Sequence, residues 1–124
     1  MERITSYRKL KVWNKAVDLV EECYRLTKNF PKHEMYGLSS QIQRASISIP
    51  SNIAEGRQRI HTKEFIQHLS IAHGSLAELE TQIEIAIRLN YIEDAEREHF
   101  LKSTTEIGKM LTGLKRALKN KATP

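Results

Sequence analysis

Glu96 and His99 form a Glu-x-x-His pair, the spacing that puts a carboxylate and an imidazole on one side of a helix. A carboxylate-bridged di-iron bundle needs two such pairs and a glutamate from each remaining helix. Only one pair is present, in a charged first turn, so no metal site is expected. His68 and His73 are five apart, the wrong step for sharing a helix face, while His33 and His61 fall in connections. None of them completes a metal set with Cys23. Cys23 is the lone cysteine and lies on an apolar stripe, where a thiol reads as buried and inert. Gly74, Gly108 and Gly113 are isolated within helical pattern and build no phosphate-cradling loop. No nucleophile motif marks a serine–histidine–acid set. Neither catalysis nor a cofactor is expected.

The residue types that remain for recognition are cations. Twenty Lys and Arg stand against fifteen Asp and Glu, a net charge of +5. The excess is uneven: residues 1–62 hold 11 basic and 6 acidic side chains, and residues 63–124 hold 9 of each. Arg57, Arg59 and Lys63 cluster around one connection, and Lys115, Arg116, Lys119 and Lys121 crowd the C-terminal stretch. Such clusters attract phosphate through Coulomb forces and counterion release without reading bases. The alternative is that they are solvated charges complementing helix dipoles. The aromatic side chains are scattered and fall mostly on core stripes, so base stacking on single strands is not supported.

Four helices must position these groups, over about residues 7–29, 37–59, 63–90 and 94–119 of one domain spanning 1–124. Trp13, Ala16, Val17, Val20, Cys23, Tyr24 and Thr27 make the first stripe, with Leu10, Leu19 and Leu26 off it. In the third, Phe65, Leu69, Ala72, Leu76, Leu79, Ile83 and Ala86 step by four and three, a heptad seam, with Ile71 and Ile85 outside it. Phe100, Thr104, Ile107, Leu111, Leu114 and Leu118 repeat the pattern in the fourth. No stretch alternates with period two, so the fold class is all-α: an antiparallel up-down-up-down four-helix bundle. No apolar run is long enough to span a membrane, and the charged N-terminal stretch carries no secretory signal. With a single thiol, the cytoplasm is the expected compartment.

Pro50 interrupts the second helical pattern, yet a helix stopping at Ser48 would leave half of the third helix's seam uncovered. Helix two should therefore run through Pro50 with a kink, with Ser46, Ser48 and Ser51 offering hydroxyls where the proline removes a backbone bond. A turn centred near residue 61 would set Arg44 against Glu78, Asn52 against Ser70, and Glu55 against Gln67. That column reads either as a polar network fixing register or, at its mouth, as a recognition site of Glu55, Arg57, Arg59 and Lys63.

Taken together, "SYRKLKVWNKAVDLVEECYRLTKNFP", "YGLSSQIQRASISIPSNIAEG", "EFIQHLSIAHGSLAELETQIEIAIRLNYI" and "IGKMLTGLKRAL" resemble the 23S rRNA intervening-sequence proteins over about residues 6–118. That family is similar to the accessory variability proteins of diversity-generating retroelements, which are basic five-subunit barrels that bind nucleic acid and a reverse transcriptase. The resemblance implies a bacterial protein, a homopentamer, and binding of RNA or DNA without catalysis. The surplus apolar positions Leu10, Leu19, Leu26, Ile71 and Ile85 are consistent with a subunit interface. The competing expectation is a protein-interaction scaffold for a nucleic-acid enzyme, with no nucleic-acid contact of its own.

Overall fold

The computed structural model describes residues 6–122. The first five residues of the charged N-terminal stretch and the last two of the basic tail lie outside them, as do those ends of the expected 1–124 domain. A short 3-10 turn, Ser6–Lys9, leads into α1 (Lys11–Thr27), and a second, Lys32–Glu34, precedes α2 (Leu38–Arg57). Then follow α3 (Thr62–Arg88) and α4 (Asp94–Ala122), and no strand occurs among the described residues. The described residues are all-α with four α-helices, as the periodicities require.

α1 begins four residues later than the apolar pattern suggests. Asn14 explains the delay: its side-chain amide donates to the carbonyls of Arg8, at 2.8 Å, and Leu10, at 3.1 Å. Those bonds hold the preceding turn in a tighter form. The buried face of α1 also differs from the expected stripe. Val12, Ala16, Leu19, Cys23, Leu26 and Thr27 are buried, whereas Trp13, Val17 and Val20 sit at the edge and Tyr24 is 45% exposed. Leu19 and Leu26 therefore belong to the monomer's own core rather than to a surplus surface. The wide apolar face allowed two rotations of this helix, and its neighbours selected one.

The seam of α3 is buried throughout, from Phe65 to Ala86, and it meets Phe100, Ile107 and Leu111 of α4 and Ile42, Ile49 and Ile53 of α2 in one core. Contacts between neighbours give the directions. Along α2 and α3, Ser48 meets Ser75 and Asn52 meets His68, so partner numbers fall as α2 numbers rise. Between α3 and α4, Glu84 pairs with Arg97 and His73 with Lys115, again in falling order. Between α1 and α4, Lys15 pairs with Glu106 and Arg25 with Glu96. These pairs run their helices in opposite directions.

The two connections at one end of the bundle are tied together. Asn90 takes φ 64°, the left-handed conformation that asparagine tolerates, while Tyr91 N–H bonds to the carbonyl of Ala86 and Asn90 N–H to that of Ile87. This ends α3 and turns Tyr91 onto Phe30, with ring centroids 5.2 Å apart. The Tyr91 hydroxyl donates to Glu34 at 2.9 Å. The other oxygen of Glu34 accepts the N–H of Leu38 at 3.0 Å and so starts α2. These bonds hold the Glu34 carboxyl below its ordinary pKa, the backbone bond from Leu38 contributing most.

α2 is unbroken through the buried Pro50. The proline has no N–H for the carbonyl of Ser46. In the same turn the Asn52 amide donates to the Ser48 carbonyl at 2.9 Å. Of the three serines, Ser46 bonds the carbonyl of Gln43, Ser48 crosses to α3, and Ser51 is exposed. The more demanding position is Gly56, also buried. A Cβ there would lie 2.6 Å from the Cβ of His68 and 3.0 Å from a ring carbon of Phe65. The last turn of α2 thus touches α3 almost backbone to side-chain stem. Gly56→Ala should destabilise the protein by about 1–3 kcal/mol, the usual range for overpacking. Gly74→Ala, whose Cβ would enter open space within a helix, should be neutral or stabilise by up to about 1 kcal/mol. Urea unfolding of the two variants checks the contrast, and equal effects would contradict it.

Candidate nucleic-acid interface

Because α2 enters and α3 leaves the same turn, and α4 runs against α3, the α2–α3 connection and the C-terminal end of α4 share one end of the bundle. Arg57 closes α2, Arg59 lies in the turn, and Lys63 stands in the first turn of α3. Arg59 and Lys63 are exposed, and Arg59 makes an ion pair with Glu55 at 3.1 Å. Lys119 and Lys121 are exposed in the last turn of α4.

Lys115 and Arg116 lie about one turn before Lys119 on α4. Lys115 is half-buried and its ammonium donates to Nδ1 of His73 at 3.2 Å. His73 is eleven residues beyond Thr62, about 16 Å down α3 at 1.5 Å per residue. Arg116 is exposed and lines the groove between α3 and α4. Of the seven cations, Lys115 and Arg116 are thus the two that also face α3.

The polar contacts between α2 and α3 are shifted from the expected column. The turn occupies residues 58–61, so its centre lies near residue 60. His68 Nδ1, not Ser70, meets the side-chain oxygen of Asn52, at 2.9 Å. The Asn52 amide also reaches Ser48 Oγ, at 3.1 Å, and that hydroxyl bonds Ser75 Oγ at 2.8 Å. The result is a half-buried chain, Ser75–Ser48–Asn52–His68. Arg44, Ser70 and Glu78 are exposed, as are Glu55 and Gln67, and Glu55 turns to Arg59 instead. A small error in the turn's centre displaces every partner, because two residues along a helix swing a side chain to another face. Asn52 was legible as a polar position facing α3; its partner was not.

Glu96 and His99 tie α4 to α1. Glu96 pairs with Arg25 at 3.2 Å, and His99 lies 3.3 Å from Glu22. Among the described residues, no three His, Cys, Asp or Glu side chains come together as a metal set. Cys23 is fully buried, and burial pushes its thiol up to about 12, with the Glu22 charge adding to the rise. No helix among the described residues is long and apolar enough to cross a membrane.

Comparison with known proteins agrees with this architecture. The family model described as 23S rRNA-intervening sequence protein matches residues 8–113, and the chain belongs to that family. A crystal structure of a protein of unknown function from the S23 ribosomal protein family, from Bacteroides thetaiotaomicron VPI-5482, is similar with a TM-score of 0.78 and 28% identity. The match covers 85% of this chain and 95% of that one. No curated protein matches the chain.

Asn52→Ala leaves the Ser48 hydroxyl and His68 Nδ1 without their shared partner. It should lower stability by about 1–2 kcal/mol, the loss expected for half-buried polar groups left unpaired. The exposed neighbour Ser51→Ala should change stability by less than about 0.5 kcal/mol. Parallel denaturation curves decide it; a silent Asn52→Ala would mean the chain fixes nothing.

Proposed function

We propose that the protein is a non-catalytic helical-bundle module that binds structured RNA or DNA through the basic end of the bundle. The observation that carries this reading is the convergence of Arg57, Arg59, Lys63, Lys119 and Lys121, from two distant parts of the chain, on one end. Family membership supports it, since the family is described by an intervening sequence of 23S rRNA. Contacts of this kind engage phosphate and carry no base readout. Reversing Arg57, Arg59, Lys63 and Lys121 to glutamate should reduce binding to an RNA duplex at low salt to background while helicity is kept. Single neutral replacements should each lower the salt slope by about one unit, with little dependence on sequence. Unchanged affinity in the reversed variant would reject the basic end as the site and favour a protein-interaction scaffold.

We further propose that the working unit is a closed homo-oligomer, a pentamer by the resemblance of the sequence, in the cytoplasm. With Leu19 and Leu26 in the core, the apolar positions left for a subunit contact are others. Ile71 and Ile85, 48% and 44% exposed, share the outer face of α3, where Leu89 follows. A ring would repeat the basic end around its axis, and multivalency would raise a weak affinity per subunit. Sedimentation at micromolar concentration should give a mass several times the 14.4 kDa subunit. Ile71→Glu with Ile85→Glu should return the protein to monomer without unfolding it. A wild-type monomer would remove the ring.

A further inference from the structure

α3 and α4 leave between them a groove of about 540 Å³. One face of α4 lines it with Thr105, Gly108, Lys109, Thr112 and Arg116, and α3 contributes His73 and Glu80. His73 is one of the lining residues, and its bond to Lys115 defines its hydrogen-bonding character. An ammonium has no lone pair to offer, so at 3.2 Å the Nδ1 of His73 must be the acceptor. A neutral imidazole whose Nδ1 accepts carries its proton on Nε2. Burial and the Lys115 charge both hold His73 below its ordinary pKa, against a smaller opposing effect of Glu80, which favours this neutral form.

That Nε2–H lies beside Gly108. A Cβ built on Gly108 would stand 3.8 Å from His73 Nε2 and 3.5 Å from a methyl of Leu76, both ordinary contacts. The space exists, and glycine leaves it open. Around it are two threonine hydroxyls, the Lys109 ammonium and the Arg116 guanidinium, all on exposed residues, with Glu80 the one carboxylate in the lining. The groove thus concentrates donors and positive charge. A phosphate, with several acceptor oxygens and a negative charge, matches this set.

We propose that the α3–α4 groove is a phosphodiester-binding site in which His73 Nε2–H, Lys109 and Arg116 hold the backbone of a bound nucleic acid. The proposal rests on the function argued above and extends it: the strand passes from the basic end onto the α3–α4 side. Lys115 is a positioning residue, acting by fixing which imidazole nitrogen carries the proton.

Gly108→Ala tests the site gently, because the added methyl fits the fold while shielding the Nε2–H. Its melting temperature should match or exceed that of the wild type. Its affinity for a short RNA duplex at low salt should fall about five- to tenfold, as for one lost hydrogen bond to a charged group. Arg116→Ala, on the surface, should lower the salt slope by about one unit. In the wild type, the His73 imidazole nitrogen resonances should move when the duplex is added. If the wild type binds RNA while Gly108→Ala binds equally and the His73 resonances stay still, the groove is overturned and the basic end stands alone. If the wild type binds no RNA, the proposed function fails, and the groove as a nucleic-acid site with it.

Discussion

The close approach of α2 and α3 is the constraint on which the rest of the structure depends. It rests on residues that lack bulk. Gly56 lies against the Cβ of His68, and Ala45 and Ser48 keep the preceding turns thin. A larger side chain at Gly56 would push the helix pair apart at its turn, where the shortest connection gives it least freedom. With the backbones this near, short hydroxyls can bond directly, as Ser48 and Ser75 do at 2.8 Å. Asn52 then meets His68 on the facing helix. Packing precedes the polar chain: the hydrogen bonds refine a register that the small residues make possible.

α4 is held differently, and the difference bears on function. Its core positions Phe100, Thr104, Ile107 and Leu111 are fully buried, so its inner stripe is anchored. Its flanks meet α1 through Lys15–Glu106 and Arg25–Glu96, long side chains bridging a separation that α2 and α3 do not have. On the other flank, Gly108 and Gly113 withhold side chains, and the groove toward α3 stays open. Partly exposed ion pairs contribute modestly to stability. They set where α4 lies more than how firmly it is held. The tight pair is thus the scaffold, and the looser fourth helix carries much of the proposed recognition surface.

Periodicity made the four helices legible, because a buried stripe is written every three or four residues whatever its partner. The α3 seam from Phe65 to Ala86 is buried as its spacing requires, and Pro50 lies inside an unbroken helix because the seam needs a cover of equal length. That the α2–α3 connection and the end of α4 share one end of the bundle follows from antiparallel helices with short connections. Burial of Cys23 followed from its stripe.

Tertiary structure alone decided rotation and register. α1 has apolar residues around most of its circumference, so sequence allowed Trp13 and Val17 to face inward as readily as Leu19 and Leu26; contact with α2 and α4 selected the leucines. Asn52 could be assigned to the seam but not to His68, since a shift of two residues in a facing helix presents a different side chain. Lys115 counted as one more terminal cation until its bond to His73 on α3 appeared. A stripe is a property of one helix and can be read from its own residues. A contact belongs to two helices, and its partner depends on an axial offset and a rotation that neither sequence segment encodes by itself.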